Sequence, residues 1–350
     1  MSYTLGEIKK LIMADPDMGE VLKQYPLRIT PHIARQIKRV GDPIWRQFVP
    51  DVREIKRDGG FRDPLGEEEL SPVSGLVHRY PDRVLWLVTE RCAAFCRFCT
   101  RKRLWATGIR NHNREDFNLA LGYIEGNPKI REVILSGGDP LTLKPGVLLE
   151  ILRAIRRIPH VEIIRVHTRL PVVSPKSITQ ATVLALKEAQ PLYLNIHVNH
   201  PQELTTEVRR VLTAIADAGI PLGSQTVLLR KVNDNPETLE SLFRALLTLR
   251  VRPYYLLQPD LMEGTSHFRP PLSLGIKIMK HLRHRLSGMA MPHFMVDLPG
   301  GGGKIELVPS FIRDIDDDFV YFETRTGGLA RYPLEHSESR ELLTLFREHL

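Results

Sequence analysis

Cysteine is scarce in this chain: three among 350 residues, all between Cys92 and Cys99. So small and odd a number excludes a disulfide-stapled scaffold and fits a reducing compartment. Runs of eighteen or more apolar residues are missing, and the N-terminal stretch MSYTLGEIKKLIMADPDMGE carries acids and lysines where a secretory leader would be apolar. Neither a membrane span nor a signal peptide is expected, and the default is a soluble cytoplasmic protein. Charge of one sign does not prevail either: 49 Lys+Arg stand against 41 Asp+Glu, a net +8. The charges are interleaved rather than blocked, which reads as a solvated surface and not as a nucleic-acid footprint. The densest basic run, Arg97, Arg101, Lys102 and Arg103, falls among the cysteines and points to a local anionic ligand.

What the chain does hold is a regular alternation. Residues 1 to about 75 read as short helical stretches broken by Pro16, Pro26, Pro31, Pro43, Pro50, Pro64 and Pro72, leading to a Pro/Gly-rich linker, SPVSGLVHRYPDR. Apolar β-rich runs follow at 84–89, 133–138, 163–168, 192–198, 225–229 and 252–258, the later ones about thirty residues apart, the length of a strand and its covering helix. The stretches VLLEILRAIRRI, VLALKEA, VRRVLTAIADAG and LESLFRALLTL carry apolar residues at helical spacing, and Gly219 stands as a helix stop. Strands apolar nearly throughout suit a parallel sheet covered by helices. The expected fold class is therefore α/β: a partial (β/α)6 TIM-like barrel with ligands at its strand ends. A helical region and linker would occupy 1–78 and the barrel core 79–292. A C-terminal segment and small appendage, opening with HFMVDL and PGGGGK, would occupy 293–350.

Cys92, Cys96 and Cys99 form a C-x3-C-x2-C pattern directly after the run VLWLVT. Three thiolates do not complete a tetrahedral zinc site. They can hold three irons of a cubane 4Fe-4S cluster and leave the fourth open to a non-protein ligand. A zinc site completed by a distant histidine is the rival, but it leaves Ser136-Gly137-Gly138-Asp139-Pro140, at the end of the next run, unexplained. Glycines there let backbone approach a ligand closely. Lys304 follows four glycines. On so flexible a turn it can offer its amine to a cofactor aldehyde, with burial lowering its pKa, or it can simply be solvated. A phosphate-binding P-loop is excluded, since Ile305 stands where Ser or Thr is required.

The cysteine pattern followed by GGDP resembles the radical S-adenosylmethionine (SAM) superfamily. The segments HRYPDRVLWLVTERCAAFCRFCTRKR, LSGGDPL, HVNHP, GIPLGSQTVLLRKVND, VRPYYLLQPDLMEGTSHFR and FMVDLPGGGGKI resemble the lysine 2,3-aminomutase family, from about residue 40 to residue 312. The resemblance implies a radical SAM barrel and an isomerase in which Cys92, Cys96 and Cys99 bind a 4Fe-4S cluster whose open iron takes SAM. It implies that Gly137, Gly138 and Asp139 hold the methionine amino group and that His197 and Gln225 line the SAM site, a satisfied core histidine being the other reading of His197. Lys304 would link pyridoxal 5′-phosphate (PLP) covalently, with Arg79, Tyr80 and Arg83 as its phosphate and ring contacts. For the substrate, Arg101 matches the carboxylate-binding arginine, and Asp260 and Asp297 match the pair that binds the side-chain ammonium. The related glutamate 2,3-aminomutases carry residues suited to a carboxylate there, so both aspartates argue for L-lysine. The implied reaction takes hydrogen from C3, moves nitrogen from C2 to C3 and returns the hydrogen, giving L-β-lysine (3,6-diaminohexanoate). A flavodoxin- or ferredoxin-type electron donor is the implied protein partner.

The chain also departs from the family. Larger members use further cysteines for a structural zinc between subunits; here Asn235 stands at the internal position and no cysteine follows Cys99, so no zinc is expected. Assembly as a homo-oligomer stays open. Leu257 stands where a tyrosine is common before QxD, which bears on strict lysine specificity. The alternatives are an aminomutase making β-lysine for elongation factor P and a 2,3-aminomutase for arginine, ornithine or glutamate. More distant is a radical SAM enzyme acting on RNA.

Overall fold

The computed structural model describes residues 3–56, 59–106, 113–324, 328–334 and 342–344. Short helices Leu5–Met13, Met18–Gln24, Pro31–Ala34 and Pro43–Phe48 and a 3-10 turn, Val52–Ile55, open the chain. Pro31 and Pro43 occupy first-turn positions, where a missing N–H is harmless, behind the capping side chains of Thr30 and Asp42.

The stretch read as a linker contains a strand. β1 (Leu76–Tyr80) pairs antiparallel with β2 (Arg83–Thr89), Leu76 facing Trp86, through a turn at Pro81 and Asp82. Only Leu76 and Val77 are buried in it, so no apolar run announces the strand and Pro81 disguises it. From β2 the sheet proceeds in chain order with every neighbour parallel. It runs through β3 (Glu132–Gly137), β4 (Ile163–Thr168), β5 (Leu192–His197), β6 (Leu222–Val227), β7 (Val251–Leu257) and β8 (His293–Leu298). β9 (Gly303–Glu306) ends it antiparallel to β8. The six expected strands are β2 to β7, and HFMVDL adds a seventh parallel strand to the same sheet. β6 begins three residues before the apolar run read at 225, because Gly223 and Ser224 give it a polar start.

Helices Pro145–Arg156, Gln180–Glu188, Thr206–Asp217, Pro236–Thr248 and Leu272–Arg285 follow successive strands, and their apolar faces join those of the strands in one core. Gly219, at φ +80°, ends one of them as expected. The strands are not uniformly apolar, however. On β4, Ile164 and Val166 are buried under the helices, while Arg165 and His167 lie on the opposite face. Together with Asn195, His197 and Gln225 they line an inner chamber of about 580 Å³. A barrel that holds ligands rather than packed side chains keeps a polar inner face, so burial alternates on β4 and β6, while β3 is buried almost throughout as its sequence suggested.

Side chains of β1 reach β8 and β9 at the other end of the sheet. The Tyr80 hydroxyl accepts the Lys304 backbone N–H at 3.0 Å, and Arg79 pairs with Asp297. Beyond the barrel, β10 (Ile312–Ile315), β11 (Phe319–Glu323) and β12 (Leu329–Pro333) form a separate antiparallel sheet. Lys280 Nζ ties it to helix Leu272–Arg285 by donating to Glu323 at 2.8 Å. Much of the expected appendage beyond β12 lies outside the described residues. No described helix is long and apolar enough to cross a membrane.

Candidate functional site

The cysteine loop follows β2, and Cys92, Cys96 and Cys99 all line the chamber. Two sets of bonds hold the loop. From β3, the Gly138 and Asp139 N–H groups donate to Thr89 O (2.6 Å) and Arg91 O (2.7 Å). A Cβ on Gly137, at φ +123°, would sit 2.1 Å from Thr89 O, and one on Gly138 would sit 2.3 Å from Arg91 O, so the close approach of these backbones requires glycine. From the N-terminal region, Arg28 O and Gln47 O accept the N–H groups of Phe95 and Arg97, both at 2.9 Å.

The basic run proves to be part of this anchoring. Arg97, fully buried, grips Glu54 with Nε (3.0 Å) and Nη2 (2.6 Å) and donates to Tyr25 O and Pro26 O. Lys102 shares Glu54, and Arg103 is held by Glu67 and Glu68. The expectation of an anionic ligand fails for these three because a buried cation needs a fixed anion, and the N-terminal acids supply it. Only Arg101 of the run lines the chamber.

Burial pushes all three thiols up, Cys99 to about 11, so a metal centre has to displace their protons. Two sulfurs already have donors: Arg169 Nη1 reaches Cys96 Sγ at 2.8 Å, and the Arg101 N–H reaches Cys99 Sγ at 3.4 Å. Donors aimed at sulfur fit thiolates that carry an iron–sulfur cluster. Among the described residues no three His, Cys, Asp or Glu side chains are gathered around a single-ion position.

Asp139 is committed within the protein: its carboxylate accepts from Thr168 Oγ1 (2.6 Å), the Arg169 N–H (2.7 Å) and the Leu141 N–H (3.1 Å), tying the end of β3 to that of β4. His197 is both a satisfied histidine and a chamber residue. Its Nε2 lies 3.1 Å from Asn199 Oδ1, and burial, aided by the Arg169 cation, lowers its pKa to about 3, so the ring is neutral. Gln225 stands beside it in register on β6 and also lines the chamber.

A second group of charges gathers where β8 meets β9. Register pairs Asp297 with Lys304, and the Asp297 carboxylate takes both Lys304 Nζ and Arg79 Nη2. Asp260, past the end of β7, is pushed up to about 7 by burial and then by neighbouring Asp297. Arg83 and Arg79 lie over the Tyr80 ring at 4.1 and 5.1 Å from its centroid. Arg101 reaches Glu67 through Nε (3.0 Å) and Nη2 (2.6 Å), and its Nη1 points to Gly137 O at 3.2 Å. Arg79 Nε and Arg165 Nε are buried without a partner, which leaves N–H donors for an anion.

All fifteen candidate residues from the sequence thus border one chamber. Missed were Arg165, His167, Arg169 and Glu67, which also line it. Arg165 and His167 had a legible signal, two polar residues alternating with Ile164 and Val166. Glu67 had none, since only the fold brings it to Arg101. Asn235 accepts the Thr238 N–H at 2.9 Å and caps helix Pro236–Thr248.

Comparison with known proteins accords with this site. Residues 86–243 match the radical SAM superfamily and residues 279–339 match the family described as lysine-2,3-aminomutase. The L-lysine 2,3-aminomutase of Methanococcus maripaludis is 44% identical over 320 residues, spanning 90% of this chain and 74% of that one. That of Fusobacterium nucleatum is 46% identical over 336 residues, 94% of this chain and 79% of that one. The glutamate 2,3-aminomutase of Clostridioides difficile is 35% identical over 348 residues, 99% of this chain and 82% of that one.

Proposed function

The chain belongs to the lysine 2,3-aminomutase family, and from that premise we propose that it converts L-lysine to L-β-lysine by moving the amino group from C2 to C3. It is an isomerase of the radical SAM superfamily, whose chemistry uses a 4Fe-4S cluster and SAM; PLP is the third group we assign to it. When bound, the cluster supplies an electron, SAM the radical that takes hydrogen from C3, and PLP the carrier of the migrating nitrogen. Cys92, Cys96 and Cys99 would hold the cluster, and Gly137, Gly138, Asp139, His197 and Gln225 are assigned to SAM. The committed carboxylate of Asp139 makes its part in that site the shaping of the turn. Lys304 is assigned to PLP with Arg79, Tyr80 and Arg83, and the unpartnered Nε donors of Arg79 and Arg165 suit a phosphate. Asp297 orients Lys304 Nζ.

The crowding of Asp260 and Asp297 carries the lysine reading. Burial, and after it the charge of nearby Asp297, lifts Asp260 to about 7. An ammonium between them relieves both burial and repulsion, whereas a second substrate carboxylate would add to the conflict. Arg101 offers the complementary cation for the α-carboxylate. The test is anaerobic incubation of the iron- and sulfide-reconstituted protein with PLP, SAM and dithionite and, separately, L-lysine, L-arginine, L-ornithine and L-glutamate. β-Lysine as the main product is expected, with no turnover and no PLP absorbance on the protein in Lys304→Ala. β-Glutamate without β-lysine would overturn the reading.

A further inference from the structure

Arg169 is the residue after β4, and both terminal nitrogens of its guanidinium are held, while its Nε is buried without a partner. Nη1 donates to Cys96 Sγ at 2.8 Å, while Nη2 donates to Gln47 Oε1 at 2.6 Å and Glu203 Oε2 at 2.7 Å. The rings of Phe48 and Phe98 lie 4.5 and 5.3 Å away. The partners are equally constrained. Glu203 Oε1 accepts the N–H groups of Asn199 and His200, both at 2.9 Å, and Gln47 Oε1 also takes Asn199 Nδ2 at 2.9 Å. Gln47, Asn199 and Glu203 are each 0% exposed. A dry ion pair of this kind adds little net stability, because desolvating two charges offsets their attraction. Arg169 lines the chamber, and the cysteine-loop atom its guanidinium bonds there is the sulfur of Cys96.

We propose that Arg169 is a positioning residue that sets the reduction potential of the cluster through its bond to Cys96, with Glu203 tempering its charge and Gln47, from the N-terminal region, fixing its direction. The inference rests on the reading of the three cysteines as cluster ligands. One-electron reduction adds one negative charge to the cluster and its thiolates without making or breaking a bond. A cation hydrogen-bonded to one thiolate stabilises the reduced form more than the oxidised one and raises the potential. A buried anion behind that cation does the reverse.

The experiment is an EPR-monitored potentiometric titration of the reconstituted, SAM-free protein, with iron per chain measured in every sample. Arg169→Met should make reduction harder by about tenfold in its equilibrium constant, ~59 mV for a one-electron couple, and Glu203→Gln should make it easier. If Arg169→Met fails to fold around an unpaired Glu203, the double variant Arg169→Met/Glu203→Gln removes both charges and should still titrate below the parent. A role confined to folding would lower cluster content in all variants without moving the potential in opposite directions. Unchanged potentials in cluster-loaded Arg169→Met or the double variant, or a fall in Glu203→Gln, would overturn the proposal. A parent protein that yields no reducible cluster would instead overturn the cysteine reading on which it rests.

Discussion

At the scale of single residues, Asp260 is where burial and charge conflict most openly. Its pKa rises from 3.8 to about 7 in the folded chain, burial being the larger cause and Asp297 the second. Between those values the folded state holds a proton that the unfolded state has lost, so stability falls as pH rises through this window. Asp260→Asn should accordingly unfold at a higher denaturant concentration than the parent at pH 8, the advantage shrinking as pH falls toward 4. Catalysis runs the other way, because an ammonium requires the ionised form. The parent's KM for L-lysine is expected to fall between pH 6 and 8. In Asp260→Asn it should be flat and about 10- to 100-fold higher, the size of a charge-assisted hydrogen bond. Steady-state kinetics across that range decide it, and a parental KM in the variant would count against Asp260 as an ammonium acceptor. The residue itself was legible from QPDL. Its contest with Asp297 was not, since β7 and β8 bring the two acids together only in the folded sheet.

At the scale of elements, the cysteine loop and the β3 turn behave as one unit. The sequence suggests that Gly137 and Gly138 serve a ligand. In the fold they let two backbones touch, and the Gly138 N–H lies 2.6 Å from Thr89 O. Gly138→Ala must displace Arg91 O, which lies 2.3 Å from the added Cβ. Overpacking of this kind costs about 1–3 kcal/mol, and here it falls on the loop that carries the thiols. The variant should keep its far-ultraviolet circular dichroism but bind less iron and sulfide per chain after reconstitution. Gly137→Ala should be the worse of the two, because its φ of +123° penalises any side chain. Full cluster loading in both would show that the loop tolerates the shift. The same loop shows the reach of sequence patterns: period and spacing revealed four of the barrel helices, six strands and the three cysteines, but not helix Leu272–Arg285. β1 escaped because only two of its residues are buried. Arg97, Lys102 and Arg103 were misread because their counter-charges lie some thirty to fifty residues upstream, in a region whose packing no local pattern discloses.

At the scale of the whole molecule, the N-terminal region is a clamp on the barrel's chemical end, and Glu54 is its pivot. This carboxylate is buried between Arg97 and Lys102, both 0% exposed. Withdrawing it leaves two unpaired buried cations, a loss of about 3–5 kcal/mol. Lys102 can respond by losing its proton: burial, outweighing the pull of Glu54, already lowers its pKa from 10.5 to about 8. Between those values the unfolded state binds more protons than the folded one, so stability rises with pH across that window. Removing Glu54 takes away the chief interaction that keeps Lys102 charged, so the rise should begin at lower pH. Glu54→Gln is therefore expected to unfold well below the parent at pH 6.5 and to regain part of the difference by pH 9. The double variant Glu54→Gln/Lys102→Met should lack that recovery. Urea midpoints at half-unit pH intervals distinguish the three proteins. A Glu54→Gln protein as stable as the parent at pH 6.5 would mean that the N-terminal region rests on the barrel without gripping it.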